Sequence, residues 1–564
     1  MSKKYVIVGG VAGGASVAAR LRRLDENAEI IMFEKGPHVS FSNCALPYYL
    51  SGTVPTSKKL ILNTPENFKQ RYNIDARVNQ EVIKINRDEK TVQVKDLTTG
   101  KTYEESYDKL VLSPGAKPIV PKLEGIDKPH VFTIRNVVDI ENVYNYLQEN
   151  NVQDIAVIGG GFIGVEVAEN LKLADYNVTL IEFANQVLAP FDYDMAQIIH
   201  KELFDKGVNL ILNDGLAKVS DDFVETQSGK KVTAQAVVLA IGVRPETTLA
   251  EEAGLEIGKL GGIKVDANYR TSDPDIYAVG DAIEVYHRLT HQPTRLALAG
   301  PAQKQARAVA DHIYGIPNRN RGVIGSLSLR VFDLNLAATG LNARTAEKAG
   351  ITFDSVYIFP NDKVGIMPDS HPLHFKLIYE VPTGKILGAQ AIGKGNVDKR
   401  IDVIAAMIHM NATLEDLKDL ELSYSPLLGT AKDVVNQAAL VALNQLQGRY
   451  QEVKVSDVRK LVEENAFIID ARERREFERG HLKNAVNIPL SEFRKRLDEI
   501  PKDRPVYIHC RSGQRSYNMV MALKNIGYDN VYNIAGSFMG ICLYEYFNDI
   551  TTGREKIVTE YNFN

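Results

Sequence analysis

The sequence predicts a multidomain α/β protein: two nucleotide-binding βαβ units, then an α+β domain, then a small C-terminal α/β domain. Three observations carry this. The runs "YVIVGGVAGGASVAARLRRL" and "IAVIGGGFIGVEVAENLKL" repeat one design, an apolar β-rich run, a glycine-rich turn and a helical pattern. From about Ile324 the pattern changes to alternating strands, "HFKLIYE" and "GKILGAQAIG", before the helical "DVIAAMIHM". After a polar break at Asn444–Lys454, the runs "FIIDARERREFERGHLKNAVNIPL" and "VYIHCRSGQRS" restart an α/β pattern.

Bulk properties bound the answer. At 564 residues the chain is too long for one core, and roughly three or four domains are expected. The composition is 44% apolar and 24% charged with a net charge of −4, which argues against broad nucleic-acid or membrane-surface binding. No apolar run approaches the ~18 residues of a spanning helix. The opening "MSKKYVIVGG" leads straight into glycines, as a buried strand does and a secretory signal does not. Cys44, Cys510 and Cys542 form no disulfide framework and no zinc spacing, so no metal is expected and a cytoplasmic chain with reduced thiols is.

In the first unit, Gly9, Gly10, Gly13 and Gly14 surround Val11 and Ala12. Glycines after a strand let the backbone approach a pyrophosphate, which the next helix meets with its N–H groups. A strict G-x-G-x-x-G would place glycine at Val11, so the match is imperfect. Glu34 ends the following strand "EIIMFEK" and suits the ribose hydroxyls.

The second unit matches fully, with Gly159, Gly161 and Gly164, and Glu182 closes "NVTLIEF". A carboxylate there favours a free 2′-hydroxyl over a 2′-phosphate, and Phe183–Gln186 contains no cation, so NADH is expected rather than NADPH. Two dinucleotide sites in one chain imply relay from a nicotinamide to a second dinucleotide, most simply FAD.

At this point residues 1–445 resemble the pyridine nucleotide-disulfide oxidoreductase family. The resemblance implies two Rossmann-like domains, FAD-binding at 1–115 and 249–325 and NAD-binding at 116–248, and an α+β dimerisation domain at 326–446 that makes a homodimer. Gly115 closes the "LVLSPG" strand, the Gly280–Asp281 pair resembles the motif that holds the flavin ribityl chain, and Ala299 opens the helix facing the flavin pyrimidine.

Many members of that family carry two cysteines as CxxxxC. Here Cys44 is followed by Ala-Leu-Pro-Tyr-Tyr, so the second sulfur must arrive with a substrate or through oxygen chemistry. Peroxidases and oxidases of the family usually carry a His in the first glycine loop, where this chain has Ala12. The segment Ser40-Phe41-Ser42-Asn43-Cys44-Ala45-Leu46-Pro47-Tyr48 instead resembles the signature of coenzyme A-disulfide and CoA-persulfide reductases. Ser42 and Asn43 are plausible helix caps, and a thiol at a helix N-terminus is expected to have a lowered pKa. The resemblance further implies that Ser16, Arg20, Arg23, Ser40, Asn43 and Lys432 contact CoA, and that Tyr424 serves the partner's active site. Relatives often have a second Tyr where this chain reads "GIMPDS", with Ile366 and Met367. The missing donor shifts the expected substrate from CoA disulfide towards CoA persulfide.

Residues 452–555 resemble a rhodanese domain. Cys510 ends an apolar strand, and the loop Arg511-Ser512-Gly513-Gln514-Arg515 leads into a helix. Successive backbone N–H groups, the helix dipole and Arg511 and Arg515 can hold an anion around Gly513. Four residues separate Cys510 from Arg515, one fewer than in phosphatases of similar design, which suits a persulfide on Cys510. Asp470, Glu476 and His481 lie in the preceding segment. Cys542 sits in an apolar context and reads as packing. The expected activity is NADH-dependent reduction of CoA persulfide, CoA disulfide or polysulfide, with no nucleic-acid or membrane partner. A peroxidase or oxidase working through a Cys44 sulfenic acid, and a protein whose main activity is sulfur transfer at Cys510, remain the alternatives.

Overall fold

The computed structural model describes residues 2–563. Their contacts form two compact units, one comprising residues up to Phe183 with Ile211–Val323, the other Ala184–Leu210 with Ile324 onward.

The first unit holds both glycine-rich turns. In one sheet, Ile276–Ala278, Lys109–Leu112, Lys4–Val8, Glu29–Glu34 and Asp75–Val78 lie side by side, all in parallel. Tyr5, Val6, Ile7 and the run Ile30–Phe33 are buried, because helices cover both faces of a parallel sheet. Helix Ala12–Leu24 packs between that sheet and helix Ala299–Ile313, placing Val17, Ala18 and Leu21 in one core with Ala306, Val309 and Ala310. The second glycine turn repeats the plan. Strands Asn177–Ile181, Asp154–Ile158, Ala236–Leu239 and Val131–Thr133 pair in parallel in that order, and helix Phe162–Leu173 follows the turn.

The second unit is built on two sheets. Leu327–Val331, Leu334–Gly340, Ile386–Gly393, Leu373–Glu380 and Phe353–Ile358 form an antiparallel sheet, and helices Val397–His409 and Val434–Leu446 pack on it. This is the α+β pattern expected from Ile324. The other sheet orders Glu452–Val453, Val531–Ile534, Val506–His509, Phe467–Asp470 and Ala485–Asn487, all parallel.

The stretch read as a polar break is not a free tether. Leu446 still belongs to a helix, Tyr450 is buried, and Glu452–Val453 is a sheet strand. A polar side chain at a sheet edge looks like a linker in sequence because its partners are distant. Helix Ser537–Thr552 packs along helix Tyr193–Asp205. Tyr193 meets Tyr544 edge-on, and Phe204 meets Tyr546 and Phe547 in the same way.

Candidate active site

The first turn shows why it is glycine-rich. Gly9 has φ +97°, and a Cβ there would run into the Ser113 carbonyl. Ser113 N–H in turn donates to Val8 at 2.7 Å. Val11, which caps helix Ala12–Leu24, offers no side-chain acceptor, so first-turn N–H groups are left for an anion such as a pyrophosphate. Glu34 is anchored by the loop: its Oε2 accepts from Gly10 N–H at 3.0 Å and its Oε1 from Gly36 N–H at 2.9 Å. The substitution of Val11 for glycine does not disturb this geometry.

The second turn copies it. Gly159 has φ +105°, and a Cβ there would collide with the Ala240 carbonyl. Glu182 Oε2 accepts from Gly160 N–H at 2.5 Å, just as Glu34 accepts from Gly10. Gly161 caps helix Phe162–Leu173 without a side-chain bond, and a Cβ at Gly161 meets nothing within 4 Å. Both turns thus fit a dinucleotide pyrophosphate with a carboxylate waiting at the ribose end.

The cysteine loop is fastened to the first turn. Ser40 N–H donates to the Gly10 carbonyl at 2.8 Å, and Ser42 N–H to Leu60 at 2.9 Å. Ser40 itself takes a left-handed backbone, φ +55°. Cys44 is the one exposed cysteine of three. Asn43, beside it, is also exposed.

The expected lowering of the Cys44 pKa is not found. Cys44 lies in a three-residue 3-10 turn, Asn43–Ala45, and neither Ser42 nor Asn43 caps it with a side chain. A single turn carries little of the dipole of a full helix. Although the residue is exposed, the thiol is hemmed in by protein, and its pKa is raised, first by loss of water and then by the charges of Glu166 and Asp281.

Glu166 was not singled out in the sequence. It lies on helix Phe162–Leu173, which packs against the short helix Pro47–Leu50 that follows Cys44. Burial and the neighbouring Glu169 push its carboxyl up to about 7, against a hydrogen bond from Tyr48. Its one signal in sequence is a carboxylate inside the otherwise apolar "FIGVEVA". Asp281 is likewise raised by burial, opposed by Arg135. Arg135 also donates to the Pro114 carbonyl at 2.9 Å, beside Gly115. Gln305, on the helix that Ala299 opens, accepts from Gly280 N–H at 2.7 Å and so fixes the turn that carries Asp281.

The candidate CoA cations divide. Arg20 is committed to Asp311, with Nε–Oδ1 at 2.7 Å and a second nitrogen at 2.6 Å, which offsets its charge. Arg23 is exposed. Arg22, between them, is buried and donates to five backbone carbonyls, from Asp25 to Asn73. Ser16 is half-buried on the same helix.

In the second unit Tyr424 is half exposed at 50%, Ile366 is 85% exposed, and Leu427 and Leu428 are 60% and 61% exposed. Val364 N–H donates to the Gly429 carbonyl at 3.2 Å, which ties the two segments together. Lys432 is exposed at its edge. The neighbouring Asp433 is buried against Arg400, 3.2 Å away.

Cys510 ends strand Val506–His509 and is buried. Gly513 N–H points at its Sγ from 3.1 Å. The Arg515 guanidinium grips Glu476 at both nitrogens, 2.6 and 2.8 Å, close enough to feel the charge of Cys510. Asp470 is paired with Arg472 at 2.6 Å in the interior, and His481 stacks on Phe477. Arg511 is half-buried. Cys542 is fully buried, and burial pushes its thiol up to about 12, which makes it inert. Among the described residues no group of three or more His, Cys, Asp or Glu could hold a metal, and no helix is long and apolar enough to cross a membrane.

Comparison with known proteins agrees with this layout. Residues 3–306 match the pyridine nucleotide-disulphide oxidoreductase family, residues 328–434 its dimerisation domain, and residues 454–543 a rhodanese-like domain. The chain is 34% identical over 434 residues to a coenzyme A disulfide reductase of Staphylococcus epidermidis, covering 77% of this chain and 98% of that one. Its fold matches that of reduced Bacillus anthracis CoADR-RHD with a TM-score of 0.94 and 45% identity, over 97% of this chain and 99% of that one. It also matches a NAD-dependent persulfide reductase from A. fulgidus with a TM-score of 0.90 and 34% identity, over 95% and 99%.

Proposed function

The chain belongs to the pyridine nucleotide-disulphide oxidoreductase family, and from that premise we propose that it is an NADH-dependent flavoprotein that reduces CoA persulfide through Cys44. CoA disulfide and polysulfide are its near alternatives. The observation that carries this reading is a single exposed thiol held against a dinucleotide turn, in a chain similar over nearly its whole length to a CoADR-RHD protein and to a persulfide reductase.

The residues divide the work as follows. Glu34 and Glu182 orient the two riboses, and the uncapped helix starts at Val11 and Gly161 receive the pyrophosphates. Asp281, fixed through Gln305, offers a carboxyl to the FAD side chain. The Cys44 thiolate attacks a substrate sulfur. Attack on the inner sulfur of CoA persulfide forms a Cys44–CoA disulfide and expels hydrosulfide; attack on the outer sulfur forms a Cys44 persulfide and releases CoA thiol. FAD, when bound, supplies the electron pair, drawn from NADH, that returns Cys44 to the thiolate.

CoA phosphates are met by Arg23 and, to the extent that Asp311 leaves it charge, by Arg20; Ser16, Ser40, Asn43 and Lys432 complete the contacts. The exposed apolar side chains of Ile366, Leu427 and Leu428 are covered by a second copy, which brings Tyr424 to the partner's site as a donor to sulfur. Cys510 carries sulfane sulfur, held by Gly513, Arg511 and Arg515, and CoA shuttles it to Cys44. Three thiols free of disulfides suit the cytoplasm.

The test is anaerobic NADH oxidation with CoA persulfide, CoA disulfide and polysulfide in parallel, using the wild type and Cys44→Ser. Loss of all three activities with retained sulfur transfer from thiosulfate supports the reading. Unchanged rates in Cys44→Ser overturn it.

A further inference from the structure

Ser537 is fully buried yet has a left-handed backbone, φ +49°, a conformation that is strained for any residue but glycine. It follows Gly536, φ +70°, where a Cβ would press on the Tyr357 ring at 3.2 Å. Two successive left-handed residues open the helix Ser537–Thr552.

What that arrangement secures is the Cys510 loop. Ser537 Oγ accepts from Cys510 N–H at 3.2 Å and lies 4.0 Å from its Sγ. Its other hydrogen-bond partner is the Ile534 carbonyl at 3.4 Å. The next two N–H groups of the helix, Phe538 and Met539, take the carbonyls of Cys510 and Arg511 at 3.0 and 3.1 Å. In a trans peptide the carbonyl and the following N–H point in opposite directions. Pinning both carbonyls to the helix therefore turns the N–H groups of Arg511 and Ser512 the other way, and Gly513 N–H continues the series onto Sγ. Ser516 Oγ adds a second hydroxyl 3.6 Å from the sulfur. Helices Gln514–Asn525 and Ser537–Thr552 thus both begin at Cys510.

We propose that Ser537 is a positioning residue for sulfur transfer at Cys510. Its hydroxyl locks the cysteine's peptide plane and, with Ser516 and Gly513 N–H, steadies the thiolate that remains when the outer sulfur departs. The inference rests on the reading of Cys510 as a sulfane-sulfur carrier. In the step concerned, an incoming thiolate RS⁻ attacks the outer sulfur of Cys510–S–SH. An RS–SH bond forms as the Cys510 S–S bond breaks, the proton stays on the transferred sulfur, and the electron pair stays on Cys510 Sγ. No oxidant or reductant is consumed.

The test uses the full-length holoenzyme in a Cys44→Ser background, where Cys510 is the one remaining thiol besides the buried Cys542. Cys510 is loaded from thiosulfate and single-turnover release to cyanide or to CoA thiol is followed. Ser537→Ala removes only the hydroxyl and keeps the strained left-handed backbone, whereas Ser537→Gly removes the whole side chain and relieves that strain. Both should slow release about tenfold at unchanged loading and unchanged donor KM, the scale of one lost hydrogen bond to a charged group. Wild-type release in both variants, or a deficit in Ala that Gly restores, overturns the role of the hydroxyl. Cys510→Ala separates the two claims. If it still transfers sulfur, the carrier reading itself fails; if it does not while both Ser537 variants transfer normally, only the present inference fails.

Discussion

Glu166 and Cys44, distant in sequence, share one electrostatic environment: the carboxylate stands among the charges that raise the thiol pKa, and burial holds that carboxyl near 7. Cys44 therefore gains no acidity from its own turn, and the protonation state of Glu166 changes around neutrality.

Glu166→Gln removes one of the two charges that oppose thiolate formation. Alkylation of Cys44 by iodoacetamide at pH 8 should accelerate about threefold. Because Glu166 is protonated below about 7, variant and wild type should converge at pH 6. Parallel profiles at every pH would show that the two groups are not coupled.

Glu182, fixed by Gly160 N–H, should decide the nucleotide. Glu182→Ser removes a charge that repels a 2′-phosphate, so kcat/KM for NADPH relative to NADH should rise about tenfold. The check is initial rates with both nucleotides.

Arg515 grips Glu476 with two nitrogens and stands where the charge of Cys510 acts on it. A lysine has no planar fork and cannot do both at once. Arg515→Lys should therefore lose about tenfold in sulfur transfer, while NADH-driven reduction through Cys44 persists. Sulfur transfer at the wild-type rate would limit Arg515 to a structural role.

Acid should weaken the second unit. His200 is fully buried, bonded to Val187 N–H and held down to about 3 by loss of water. His374, also buried, is held at about 4. Between those values and ~6.5 the unfolded chain binds protons that the native one does not, so stability rises with pH across that window. Moving from pH 7 to pH 5 should cost about 2 kcal/mol for each histidine. His509 is also buried and held down by loss of water, so His200→Gln should remove only part of the resulting fall in Tm, measured by calorimetry.

The parts legible in sequence were those fixed by near neighbours. Gly9 and Gly159 announced the turns because a Cβ there meets a carbonyl of the adjoining strand, and Glu34 and Glu182 followed as acids ending the next strand. Cys44 was legible as a lone thiol in a recognisable segment. Its acidity was not, because Glu166 and Asp281 reach it only through packing of separate helices. Arg20 shows the same limit: its partner Asp311 lies on another helix, and nothing in "ARLRRL" separates an engaged arginine from the exposed Arg23 or the buried Arg22. Ser537 looked like an ordinary serine because a left-handed backbone leaves no mark on composition.

The helix that begins at Ser537 has its far side laid along Tyr193, His200 and Phe204, residues remote from it in the chain. Cutting the protein after the dimerisation domain would not release a cargo from a string. It would uncover a strip of aromatic surface and leave a sticky remnant, so a truncated enzyme that aggregates would report an exposed wound rather than a need for sulfur transfer. Graft partners for this reductase would need to refill that strip before their activities could be compared.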